Sequence, residues 1–344
     1  MKPIIQTISE ILPDQSVVLI TGEDNIPSWL KLSKPEREYA LRKIRNKEEY
    51  VYINSYLKHT YIIRTKTTTN LSKAREELRK TAFGMRKLIR SNNHSELVIA
   101  SDNAFSGATI DFTEGLILSM YSFDRYKTKK DIEPERKYPA KLLLCDSINA
   151  HDVKWLDEIT DAVYFVRDMI NTPVNFLNAV SLADEIKKKG ELAGFSVEVL
   201  NKGKIEALKM GGLLAVNKGS VDPPVFCILE WKPEKRLNLR PLVLVGKGIV
   251  YDTGGLNIKT GDHMHNMKGD MAGAAAVTGV LYTAAKTGIP LHVIGLIPAT
   301  DNRPGGNAYT QGDIITMHNR MTVEIGNTDA EGRLILADAI SYAS

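Results

Sequence analysis

Cysteine is scarce in this chain of 344 residues, which carries only Cys145 and Cys227. They lie far apart in the apolar runs KLLLC and PPVFCILEW, so a disulfide framework is excluded and reduced core thiols in a cytoplasmic setting are expected. No run reaches the ~18 apolar residues of a bilayer span, and MKPIIQTISEILPDQ has no continuous apolar stretch of the export-signal kind. No membrane association is expected. An excess of one charge is also lacking: the formal net charge of +4 is too small to argue for nucleic acid. The basic helix face in SKAREELRKTAFGMRKLIR has no interleaved aromatic residues, so it reads as solvated surface and nucleic acid is not expected as a partner. Internal repeats, low-complexity segments, HExxH and G-x-S-x-G are absent, and Gly246-Lys247-Gly248 lacks phosphate-loop spacing.

What is present is the composition of a globular protein, 43% hydrophobic and 25% charged, in a chain too long for one ordinary core. Strand-like and helix-like segments alternate throughout, which predicts an α/β fold of two domains, each a mostly parallel sheet flanked by helices. SVVLI, ELVIAS and AKLLLCD read as strands of the first half, with a helix between them whose apolar face is Ala74, Leu78, Ala82, Met85 and Ile89. Asp124 to Pro139 reads as an exposed loop. The expected division is an N-terminal domain over 1–150, a linker helix over 151–175 ending near Asn171-Thr172-Pro173, and a second domain over 176–344. That second domain has FSVEVLN, VFCILEW, PLVLVGKG and PLHVIGLIP as strands.

Chemistry concentrates in the second domain. An apolar strand delivers Lys247 between two glycines; Asp252 follows in Tyr-Asp-Thr-Gly-Gly, then Lys259, and Asp270 opens the small-residue helix DMAGAAAVTG. Loops at the carboxyl ends of parallel strands are where open α/β sheets place ligands. Near the end, NTDAEGRL puts Asp329, Glu331 and Arg333 at alternate positions, which converge if the segment is an extended strand-to-helix loop. Four converging carboxylates repel one another unless cations intervene, and two divalent ions balance four negative charges. His263 and His265 read as surface residues.

GKGIVYDTGGLNIK, MKGDMAGAAAV and NTDAEGRL together resemble the signature segments of the leucyl aminopeptidase (cytosol aminopeptidase) family, two-metal exopeptidases. The resemblance runs from Arg167-Asp168 and Asn171-Thr172-Pro173 to Leu334, and departs from the family pattern at Gly269, Ala272-Gly273 and Gln311-Gly312-Asp313. It implies that Lys247, Asp252, Asp270 and Glu331 hold one metal ion, and that Asp252, Asp329 and Glu331 hold a second, more exchangeable one. Lys259 would stabilise the oxyanion at the substrate carbonyl, and Arg333 would seat a bicarbonate acting as general base. Zinc or manganese is implied, with cobalt or magnesium as alternatives, for removal of leucine-like N-terminal residues from peptides by a homohexamer. The N-terminal domain would serve assembly or regulation. A non-catalytic, regulatory or DNA-binding member of the same fold, an inactive fragment, and another two-metal hydrolase such as a phosphatase are the competing readings. The chain stops at Ala343-Ser344 without a glycine cap or proline stop, which reads as a catalytic domain truncated at its C-terminus.

Overall fold

The computed structural model describes residues 2–65, 70–128, 138–146 and 148–344, in two compact units, Met1–Thr160 and Asp161–Ser344. Most of the loop expected over Asp124–Pro139 lies outside the described residues.

The first unit runs β1 (Ile4–Thr7), β2 (Val17–Thr21), α1 (Lys34–Arg45), β3 (Tyr50–Ser55), β4 (Lys58–Arg64), α2 (Leu71–Ser91), β5 (Glu96–Asp102), α3 (Ala108–Ser119) and β6 (Lys141–Cys145). Its six-stranded sheet has the order β1-β6-β5-β2-β4-β3, with every pairing parallel except the β3–β4 hairpin. The central strand β2 reads VVLIT and is buried at every position, as a parallel strand covered on both faces must be. One face carries Val17, Leu19, Ile62, Val98 and Leu143 against Ala40 and Ile44 of α1. On α2 the buried positions are Ala74, Leu78, Ala82, Met85 and Ile89, the apolar stripe expected from their spacing.

Helix α4 (Ala150–Asn171) crosses the division between the units. The second unit continues with α5 (Ala179–Ala193), β7 (Ser196–Leu200), α6 (Lys202–Ala207), α7 (Gly211–Asn217), β8 (Val225–Trp231), β9 (Leu242–Val245) and β10 (Gly248–Asp252). It ends with α8 (Ala272–Thr287), β11 (Val293–Asn302), β12 (Ile314–Thr316), β13 (Thr322–Glu324) and α9 (Glu331–Ala343). Its sheet is mixed: β9 and β10 pair in parallel with β11, while β8 is antiparallel to both β11 and β7. Alternate side chains feed two cores. Val225, Cys227 and Leu229 pack with α4, α5 and α8 on one face, and Phe226, Ile249 and Leu296 pack with α7 and α9 on the other. Both cysteines are free, Cys227 buried and Cys145 half-buried. Among the described residues no helix is long and apolar enough to cross a membrane.

Candidate metal centre

Lys247 stands at a seam. Strands β9 and β10 lie end to end along one side of β11, β9 against Val293–Leu296 and β10 beginning against Ala299. Between them the Gly246 N–H donates to the Leu296 carbonyl (2.9 Å), and the Lys247 carbonyl accepts from the Ala274 N–H in the first turn of α8 (2.9 Å). The backbones meet too closely for side chains: a Cβ on Gly246 would lie 2.8 Å from the Gly273 oxygen, and one on Gly248 2.6 Å from the Pro298 oxygen. The flanking glycines thus let sheet and helix clamp the lysine's main chain.

The acids arrive from three other places. Asp252 ends β10, and the loop beyond it carries Lys259, whose N–H donates to the Thr253 carbonyl (2.8 Å). Asp270 closes a 3-10 turn, two residues before α8 begins at Ala272, so it precedes the helix it was expected to open. Asn327 is extended, but from Thr328 the chain enters a 3-10 turn and Glu331 is the first residue of α9. The extended stretch expected over Asn327–Gly332 is therefore replaced by a turn, and Asp329 and Glu331 converge because the turn brings them round. Arg333, two positions into the helix from the buried Glu331, is exposed.

The geometry joins six charged groups. Lys247 Nζ lies 2.8 and 2.7 Å from the two oxygens of Asp270 and 2.7 Å from Glu331 Oε1. Lys259 Nζ lies 2.9 Å from Asp252 Oδ2 and 2.5 Å from Asp329 Oδ1. Oxygens of Asp252, Asp329 and Glu331 all fall within 4.8 Å of one another. Burial pulls the pKa of Lys247 down, but hydrogen bonds and charge from Asp270 and Glu331 outweigh it, so the ammonium is held on. Lys259 is raised in the same way by Asp329 and Asp252. Burial, only partly offset by Lys247, pushes Asp270 up to about 6. With all four carboxylates ionised, two ammonium groups leave the cluster short of positive charge. A compact set of hard oxygen donors with that deficit fits divalent cations.

Several neutral residues frame the acids without any sequence signal of their own. Thr328 and Asn257 bond reciprocally: Asn257 N–H donates to Thr328 Oγ1 (2.8 Å) and Thr328 N–H to Asn257 Oδ1 (2.8 Å). The Thr328 hydroxyl donates to the Gly254 carbonyl (2.7 Å) and the buried Tyr309 hydroxyl to the Thr328 carbonyl (2.6 Å). Asn302, at the end of β11, donates to Asp252 Oδ1 (2.8 Å). His263 and His265 are exposed and make none of these contacts.

Residues 164–344, more than half of the chain, match the sequence model described as the cytosol aminopeptidase family, catalytic domain. The chain belongs to the cytosol aminopeptidase family. All seven charged residues singled out in the sequence fall inside that catalytic domain. A probable cytosol aminopeptidase of Chloroherpeton thalassium is 46% identical over 243 residues, 67% of this chain and 48% of the relative. One of Brucella suis biovar 1 is 43% identical over 253 residues, 72% of this chain and 50% of the relative. The chain thus spans about half the length of the curated relatives it matches. In fold it is similar to the bottromycin maturation enzyme BotP in complex with Mn, with a TM-score of 0.78 at 25% identity over 96% of this chain and 69% of that one. Cytosol aminopeptidases are hydrolases of peptide bonds, and a carboxylate cluster able to hold a metal ion is present in this member.

Proposed function

We propose that the second unit carries the centre of a metal-dependent aminopeptidase that removes leucine-like residues from peptides with a free N-terminus. The observation that carries this reading is the meeting of Asp252, Asp329 and Glu331 oxygens within 4.8 Å, beside two lysines that each bridge two acids. Lys247, Asp252, Asp270 and Glu331 would hold one divalent cation, and Asp252, Asp329 and Glu331 a second. When bound, such cations supply Lewis acidity and lower the pKa of water. The work of the chain's own residues is to orient and stabilise. Lys259, with its ammonium held on by Asp252 and Asp329, offers a preorganised cation to the charge that develops on the substrate carbonyl oxygen. Lys247 would have to lose its proton to serve as a ligand, which a nearby divalent cation would favour. Arg333 presents an exposed guanidinium suited to a small oxyanion such as bicarbonate. Leu256 and Ile258, exposed on the loop between Asp252 and Lys259, offer apolar surface for an aliphatic side chain.

Zinc or manganese are the ions we assign; BotP's complex with Mn supports the second. The family name supports a cytoplasmic site of action, and family membership supports a homohexamer in which the first unit serves assembly. Hydrolysis of leucine p-nitroanilide by the purified chain with added manganese or zinc tests the reading. Turnover that a chelator abolishes is the expected result; metal binding without turnover of any N-terminal substrate would overturn it.

A further inference from the structure

The Asn302 side chain is fully buried, and its amide nitrogen faces three oxygens at once. They are Asp252 Oδ1 at 2.8 Å, the Thr328 carbonyl at 3.1 Å and Glu331 Oε2 at 3.5 Å. Its own Oδ1 is buried with no hydrogen-bond partner. The amide orientation is fixed by this asymmetry, since the flipped rotamer would set a carbonyl oxygen against three acceptors. A buried amide that leaves its acceptor unpaired to keep its donors in place is tolerated where those donors have a task.

The task is legible at Asp252. Its Oδ1 accepts two N–H groups, from Asn302 and from the Gly254 backbone (2.9 Å), while its Oδ2 faces Lys259 Nζ (2.9 Å). One carboxylate oxygen is thereby engaged by the protein and the other is turned into the cluster. The same amide ties Asp252, on the end of β10, to the Thr328 carbonyl and to Glu331 at the start of α9. We propose that Asn302 is a positioning residue that makes Asp252 a one-oxygen donor to the cation site and holds it in register with Glu331. This rests on the reading of the cluster as a metal centre.

The test measures Mn2+ affinity by calorimetry for the wild type, Asn302→Ala and the near-isosteric Asn302→Asp, with circular dichroism and thermal unfolding of each in chelator. A positioning role predicts that Asn302→Ala weakens binding by about 10–100-fold in protein that keeps its native spectrum. It predicts that Asn302→Asp weakens binding too, although an added negative charge by itself would strengthen it. Wild-type affinity in the folded fraction of Asn302→Ala, or tighter binding by Asn302→Asp, would overturn the proposal. A wild type that binds no Mn2+ would instead overturn the metal reading.

Discussion

A methyl group added to Gly332 would lie 2.6 Å from Cε and 2.9 Å from Nζ of Lys247. Helix α9 therefore presents bare backbone at its second residue, and only across that bare backbone does the lysine reach both Glu331 and Asp270.

Gly332→Ala is expected to separate site geometry from stability. The atoms displaced are the flexible end of a lysine, so the melting temperature should move by no more than a few degrees, while Mn2+ affinity and leucine p-nitroanilide hydrolysis fall about tenfold or more. Parallel thermal melts and calorimetry check this; wild-type affinity in Gly332→Ala would remove any role for the Lys247 contact.

Asp329 is exposed, so its loss should spare folding. Asp329→Ala removes one of the three clustered oxygens and one of the two partners of Lys259. Cation affinity should drop by at least the roughly 10–100-fold seen when even an outer partner of a metal ligand is lost, with urea denaturation in chelator unchanged. Unaltered affinity would exclude Asp329 from the centre.

Asp338 has a different office on the same helix. It is fully buried and accepts the Leu213 N–H at the start of α7 (3.0 Å) and the His318 N–H (2.9 Å). Asp338→Ala strands the buried Leu213 donor and the part-buried His318 donor and should cost about 2–4 kcal/mol in urea denaturation. A loss below about 0.5 kcal/mol would show that α9 is anchored by its apolar face alone.

The first unit should lose stability in mild acid. His94 is buried against the Tyr61 hydroxyl (2.8 Å) and stacks edge-on with His59. Burial, and then the charge of His59, pushes its pKa down from 6.5 to about 4. The unfolded chain thus takes up a proton that the folded one refuses. This contribution to stability is complete above pH 6.5, declines as pH falls from 6.5 towards 4, and changes no further below that. Histidine NMR titration reads the pKa directly, and His94→Gln should flatten the fall; a His94 that titrates near 6.5 would refute it.

The α/β class and much of the candidate site could be read from sequence because the signals were local. The α2 stripe from Ala74 to Ile89 needs only helical periodicity, and Lys247, Asp252, Asp270, Asp329 and Glu331 need only a strand end or a glycine-rich loop to mark them. The β3–β4 hairpin was hidden because its turn is Tyr56-Leu57, two nearly fully exposed apolar residues in place of Asn-Gly, with Tyr56 at φ 62°. Strand β11 continues past the apolar PLHVIGLIP through Ala299-Thr300-Asp301-Asn302. Those last polar residues are buried, and nothing local distinguishes them from a surface loop. Asn302 and Thr328 were missed for the same reason: their partners lie 19 or more residues away, and neutral side chains do not announce an ion site.

The contacts that close the centre, Asn257 with Thr328 and Lys259 with Asp329, join positions 71 and 70 residues apart. Closing so long a segment costs chain entropy before any of those bonds can form, so the centre is expected to close late in folding, after α8 and β11 have bridged the gap. A cation that recognises the finished cluster would have nothing to hold in the transition state. It would lengthen the lifetime of the native protein, by slowing unfolding, and leave the folding rate as it was.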